Sequence, residues 1–449
     1  MADSPALLRV VDTRRLAVTI FNTVVGAGIF ALPGVIAGLI GTAAPAAYIA
    51  CTGAVALVAL SYAAAGSRVS KAGGSYAYVA AGLGPPAGAI GGVLAWLADT
   101  LAAASVAAGL MAALAAYLPL AGAGIGRAVL MTAIIGTIAA INLRGVRQGA
   151  AFVEGVTVVK LIPLLLFVVA GAALMNWDAR LWPTWPTPDV LGRTMLVLMF
   201  AFSGAETALS LSGEVDRPDR TVPRALLMAL ASISLLYSSV HLVAFGALGD
   251  GLASSTAAPL ADAGGRLAGP WLRTVMLLGT ILSMLGYLSA SLMSQPRLLY
   301  SLAAGGLLPS FLTAIHSRFH TPWIAILAQN LIVLLAALSG SFAVLVPMAS
   351  VAILAVYLMV ALSALRLQRQ PAQPPGAFTV PAAVPVGAAA VSLWMLSNAR
   401  PDELALQAVV IVVAVVLVIV RRRALRAAAL HASEASVPPR AAGARPPRE

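Results

Sequence analysis

The sequence predicts an all-α polytopic membrane protein of twelve spans, built around two five-span repeats that run in opposite directions through the membrane. Three observations predict it. Of 449 residues, 60% are hydrophobic and 10% charged, a balance that soluble globular domains do not show. Apolar runs of roughly 20 residues, the length that crosses ~30 Å of hydrocarbon, recur along nearly the whole chain. Two of these runs, five spans apart, are interrupted by small residues at corresponding positions, and an odd offset inverts one half relative to the other.

Hydropathy places the spans at about 16–40, 43–66, 85–118, 124–142, 149–174, 191–213, 224–248, 271–300, 322–340, 342–365, 381–397 and 404–420. Residues 1–15 form an N-terminal tail, 16–174 the first repeat, 191–365 the second, 381–420 the last two spans and 421–449 a tail. Span one follows Arg14 and Arg15 as a signal peptide would, but it is too long and lacks a small-residue cleavage site. It carries NTVVGAGIFALPG, with Gly26 and Gly28 at its midpoint. Glycine weakens a helix, and a freed backbone group in lipid needs a partner, so such an interruption is tolerated where the backbone lines a cavity. Close helix packing is the other use of such glycines. In span six, FAFSGAET places Ser203 and Gly204 in the same relation to their run. Two broken helices in matching positions point to a secondary transporter with its site at the midplane.

The connections are short and leave no room for an extramembrane domain. The longest, at 249–270, has the composition for a short interfacial helix over Pro259–Leu267. The segment from Arg421 onward, rich in arginine, alanine and proline, reads as a disordered basic tail able to touch anionic lipid.

Formal net charge is +12, and its distribution excludes the usual soluble reading of a basic chain. Twenty-one of the 28 basic residues fall in the two tails and the even-numbered connections, six fall on the other side, and Lys160 lies between. The positive-inside rule therefore puts both termini in the cytoplasm, and nucleic acid is not an expected partner. The lipid bilayer is. Cys51 is the single cysteine and only His241 among four histidines falls in a span, so no metal cluster or cofactor site is expected. No phosphate loop follows the glycines at 88–92, and no nucleophile triad stands out, so no catalytic residue is assigned and the chain is not read as an enzyme.

Within the spans the acidic residues are Asp99, Glu154 and Glu206, joined by Lys160 as the interior lysine. An ionisable group there costs at least ~2.5 kcal/mol, which marks it as a functional candidate. Lys160 lies about eleven residues into span five, roughly 16 Å deep at 1.5 Å per residue, too deep for easy snorkelling. Its ammonium can hydrogen-bond the carbonyls of an unwound helix, take the place of a sodium ion and make the site sensitive to protons. Asp99 sits near mid-membrane in span three, where it could bind a substrate ammonium, carry a coupling proton or pair with Lys160. Glu206 follows the span-six break, where a structural cap and a proton-linked role are both open. Glu154 lies near the inner end of span five, within reach of water.

Four segments carry a family resemblance: GAGIF at 26–30, KAGGSYAYVAAGLGP at 71–85, FAFSGAETALSLSGEVDRPDRTVPRAL at 200–226 and QPRLLYSLAAGGLLP at 295–309. They resemble the amino acid-polyamine-organocation superfamily of permeases, over the first ten spans, and the chain is similar to bacterial members of the branch with cationic amino acid transporters and arginine/agmatine-type exchangers. The resemblance implies a ten-helix core with two peripheral helices, spans eleven and twelve, in a bacterial plasma membrane. It implies that a substrate α-carboxylate meets the amides near Ala27 and Gly28, beside Gly26, and that the α-amino group meets carbonyls matching Val24, Phe200 and Ser203, beside Gly204. Phe200 matches an aromatic gate, with Phe202 the second choice, and Lys160 matches a span-five lysine of sodium-independent members. Asp99 and Ala205 depart from the family pattern. A carboxylate at Asp99 favours either a cationic substrate or proton symport of a small neutral one.

The function expected is sodium-independent transport of L-amino acids by alternating access, driven by protons or by exchange. A cationic amino acid or polyamine antiporter is the alternative, and a transport-dead sensor the second.

Overall fold

The computed structural model describes residues 12–69, 74–144, 160–175, 185–205, 218–370 and 377–435. Along them run α1 (Thr13–Val24), α2 (Gly28–Ile40), α3 (Ala44–Gly66), α4 (Gly74–Leu83), α5 (Pro85–Leu114), α6 (Gly124–Arg144) and α7 (Leu161–Leu174). There follow α8 (Pro188–Phe202), α9 (Pro218–Leu248), α10 (Pro259–Ala268), α11 (Pro270–Ala304), α12 (Trp323–Ser339), α13 (Phe342–Gln368), α14 (Ala383–Ser397) and α15 (Pro401–Ala435). Among the described residues seven stretches are long and apolar enough to cross a membrane, with three shorter apolar helices, α7, α12 and α14, beside them. The chain is a multi-pass membrane protein.

Local chemistry sets the helix starts. Proline stands in the first turn of α3, α5, α8, α10 and α11, where its missing N–H has no intrahelical acceptor to lose. Asp12 caps α1, its Oδ1 accepting the Arg15 amide at 2.8 Å. The short helix foreseen in the longest connection is α10. One expectation is corrected: α15 does not stop at residue 420 but continues to Ala435, because the stretch RRRALRAAAL that opens the supposed disordered tail is composed of strong helix formers.

α5 is the centre of the bundle and packs against α4, α11, α12, α13 and α15. Its LAAASVAAG segment is buried on all sides; small side chains let neighbouring backbones approach, which is how helices gain contact where the surroundings are already apolar. Elsewhere a Cβ on Gly279 of α11 would come within 2.5 Å of Pro163 on α7, and one on Gly82 of α4 within 2.6 Å of the Ser363 backbone on α13.

Two irregularities matter for function. The first expected span is two helices, α1 ending at Val24 and α2 beginning at Gly28, with Val25–Ala27 non-helical between them. α8 ends at Phe202, followed by an extended Ser203 and by Gly204 at φ +114°, a conformation that a side chain rarely permits.

Candidate functional site

The last turn of a helix leaves four carbonyls without intrahelical donors, and in α1 these are the carbonyls at the break. Phe21 O accepts the Val25 amide at 2.9 Å. Asn22 O accepts the Lys160 ammonium at 3.0 Å. Thr23 O faces Gly204, where a Cβ would lie 3.2 Å from it. Val24 O accepts the hydroxyl of Tyr237, a residue of α9, at 3.1 Å. That same hydroxyl stands 3.1 Å from Ala201 O, one residue before the end of α8. Lysine and tyrosine thus partner two carbonyls of the first break, and the second break packs against a third.

The two breaks face a cavity of about 490 Å³. It gathers six of the residues singled out from the sequence: Gly26, Asp99, Lys160, Phe200, Ser203 and Gly204. Val24, Ala27 and Gly28 do not line it. Gly28 instead packs against α8, where a Cβ would sit 3.1 Å from Ala201 and 3.3 Å from Phe200, the close-packing use of glycine. Glu206 and Glu154 lie outside the described residues. The remaining wall comes mainly from α11, with Ser283, Tyr287 and Ser291, and from α13, with Ser350.

Asp99 belongs to a polar seam between α5, α11 and α12. Gln295 donates its side-chain amide to Asp99 O at 2.8 Å and accepts from Gln329 at 2.6 Å. Gln329 also donates to Thr100 Oγ1 at 3.0 Å and accepts the Trp96 indole N–H at 2.6 Å. Both glutamines are buried and both have all their donors used, so the seam fixes the height of Asp99 in the wall. A second device fixes α11 there. Pro296 cannot donate to Leu292 O four residues back, and Asn142 of α6 supplies the missing donor at 3.0 Å.

Other polar atoms of the cavity wall have no protein partner: Asn22 Oδ1, Ser283 Oγ and Ser350 Oγ are buried and unsatisfied among the described residues. Orphaned polar atoms cost about 1–3 kcal/mol each, and a polar ligand or water in the cavity would relieve that. The enclosure therefore has the chemistry of a small polar ligand site, with one carboxylate, one ammonium, carbonyls from a helix end and three open side-chain atoms.

Sequence reasoning missed Asn22, Tyr237, Ser283, Ser350, Gln295 and Gln329. A search for neutral amides inside apolar runs, rather than for ionisable groups alone, would have found the two glutamines and Asn22. The others carry no local signal, since serine and tyrosine are ordinary in membrane helices.

The model of the family described as Amino acid permease matches residues 11–420. An uncharacterized transporter of Mycobacterium tuberculosis is 31% identical over 65% of this chain and 66% of its own length. The L-lysine transport protein of Corynebacterium glutamicum is 28% identical over 73% of this chain and 68% of its own. The serine/threonine exchanger of Bacillus subtilis is 27% identical over 69% and 72%. The chain thus spans just under two thirds of the length of the first of these relatives.

Proposed function

The chain belongs to the amino acid permease family, of the amino acid-polyamine-organocation superfamily, and from that premise we propose that it carries L-amino acids across the bacterial plasma membrane by alternating access, independently of sodium. Twelve spans, five of them repeated in inverted order, hold the cavity near the midplane, with both termini in the cytoplasm. The observation that carries the reading is the bond from Lys160 to Asn22 O at the first break: an ammonium occupies the carbonyl end of a broken helix where a coupling cation would otherwise be needed.

In this mechanism the substrate α-carboxylate enters beside Gly26 and meets the amides near Ala27 and Gly28 at the start of α2, the positive end of that helix, once α8 moves off them. Its α-amino group meets the carbonyl ends of α1 and α8 near Val24, Phe200 and Ser203. Binding satisfies backbone groups that the break leaves weakly partnered, and so favours the conformation in which the two halves close and Phe200 covers the site. A ligand shifts only an equilibrium in which it binds one state more tightly. Lys160 couples this closure to protons, because transferring its proton removes the charge that strengthens its bond to Asn22 O. Glu206 is a second coupling candidate.

Asp99 favours a second reading, a transporter of cationic amino acids or polyamines that works by exchange. Its carboxylate in the wall can take a substrate's distal ammonium, and the L-lysine transport protein among the relatives fits that choice. The serine/threonine exchanger fits a small neutral substrate instead.

The test is uptake of labelled amino acids and polyamines into proteoliposomes, with an empty or a preloaded lumen and with or without an inward proton gradient. Gradient-driven accumulation into an empty lumen establishes proton symport. Uptake that requires preloading establishes exchange. Specific binding in detergent with no flux under any condition would overturn transport in favour of a sensor.

A further inference from the structure

On the transport reading, on which this inference rests, an alternating-access path needs a closure at each end of its cavity. Phe200 lines the cavity, and its ring meets that of Phe342 edge-on, with centroids 5.7 Å apart and planes at 88°. Phe342 is the first residue of α13, whereas the cavity lining on that helix begins at Ala349. Seven residues are two turns, about 10 Å along the axis. On α5 the lining reaches Ala102, and Gly109 stands the same two turns further on. A Cβ on Gly109 would lie 3.2 Å from Phe342 Cδ2 and 3.2 Å from Met284 Cε. Two helices thus place one layer at the same height: Phe200, Phe342 and Met284, seated on Gly109.

The layer has no hydrogen-bonding side chain, and it is buried, with Phe200 and Phe342 each 8% exposed. The cavity wall beyond it has Asp99 and Ser350, while on α11 Ser283 adjoins Met284. A zwitterion or a hydrated ammonium gains nothing from such a layer and must displace it to pass, so it acts as a hydrophobic constriction. Gly109 gives Phe342 and Met284 their seat; a Cβ there would need both to give way by a few tenths of an ångström.

We infer that Phe342 is the second leaf of the gate whose first leaf is Phe200, and that the two rings, with Met284 beneath, seal the end of the cavity where α8 enters and α13 begins. Phe342 is a positioning residue: it sets how completely Phe200 closes.

The test places a reporter thiol in the cavity wall as Ala290→Cys and follows its labelling by a membrane-impermeant maleimide in vesicles of both orientations; the native Cys51 is buried. From the face where α8 enters, Phe342→Ala is expected to raise the labelling rate about tenfold, as opening a hydrophobic constriction admits water and solute. Phe342→Leu keeps the apolar bulk and is expected to stay near the parent rate. Phe200→Ala is expected to match Phe342→Ala, and combining the two to add nothing. Parent-rate labelling in Phe342→Ala protein that still elutes as a folded particle overturns the proposal. Where the alanine variant does not fold, Phe342→Val replaces it, with the same reading of faster or unchanged labelling. If the labelling behaves as expected while the parent takes up no amino acid, the transport reading fails and the seal stands.

Discussion

Lys160 donates to Asn22 O at 3.0 Å from the start of α7, and it is one of two charged side chains in the described cavity wall. A hydrogen bond from a charged donor is worth about 1.5–3 kcal/mol, enough to hold the end of α1 in one position while the proton stays on the lysine. Lys160→Gln keeps a donor of similar reach and removes the charge. It is expected to cut the stimulation of uptake by an inward proton gradient at least tenfold, while exchange between equal pools survives at a reduced rate. Gradient stimulation equal to that of the parent would remove Lys160 from the coupling step. The residue was legible in the sequence because a lysine so deep in an apolar run has few bland uses. Its acceptor was not, since which carbonyl of a helix end faces a given side chain depends on how α1 and α7 pack.

At the scale of elements, the break in α1–α2 was foreseen from Gly26 and Gly28 and the one after α8 from Ser203 and Gly204, because backbone freedom is written in residue type. How α8 is held was not foreseen. Arg193, in its second turn, forms a two-pronged ion pair with Glu403 of α15, both contacts at 2.6 Å, and Glu403 also accepts the Arg400 amide at 2.9 Å. Glu403 reads from the sequence as a residue at a span end, yet it is 3% exposed. A Cβ on Gly192 would lie 2.5 Å from the Asn398 side-chain amide, so the turn between α14 and α15 is pressed onto the same stretch. The final helices, expected to be peripheral, therefore brace the helix that carries Phe200. Removing one partner of a buried pair leaves an unpaired charge and costs about 3 kcal/mol. Glu403→Ala is expected to lower the thermal midpoint of the purified protein by several degrees, and the exchanged pair Arg193→Glu with Glu403→Arg to recover much of the loss. An unchanged midpoint in Glu403→Ala would show that the pair is dispensable.

For the whole molecule, the class of protein was legible because apolar runs of membrane length are a property of composition and spacing, with no dependence on tertiary contacts. The site was legible only where it is made of unusual residue types. Orientation rests on the placement of arginine. If both tails face the cytoplasm, Ser254, exposed in the connection before α10, lies outside, and Ser317, exposed between α11 and α12, lies inside. With Cys51 buried, Ser254→Cys is expected to react with an impermeant thiol reagent in intact cells and Ser317→Cys only in inverted vesicles. The reverse pattern would invert the topology and, with it, the side of the membrane on which the Phe200–Phe342 seal lies.

The hydroxyl of Tyr237 serves Val24 O and Ala201 O at the same distance of 3.1 Å, but a phenol carries a single hydrogen. Two acceptors, one from each broken helix, share it, so this hydroxyl serves one of them in full at a time. Whichever carbonyl holds the hydrogen leaves the other the weaker partner, so the ends of α1 and α8 are joined through a single bond that can pass from one to the other.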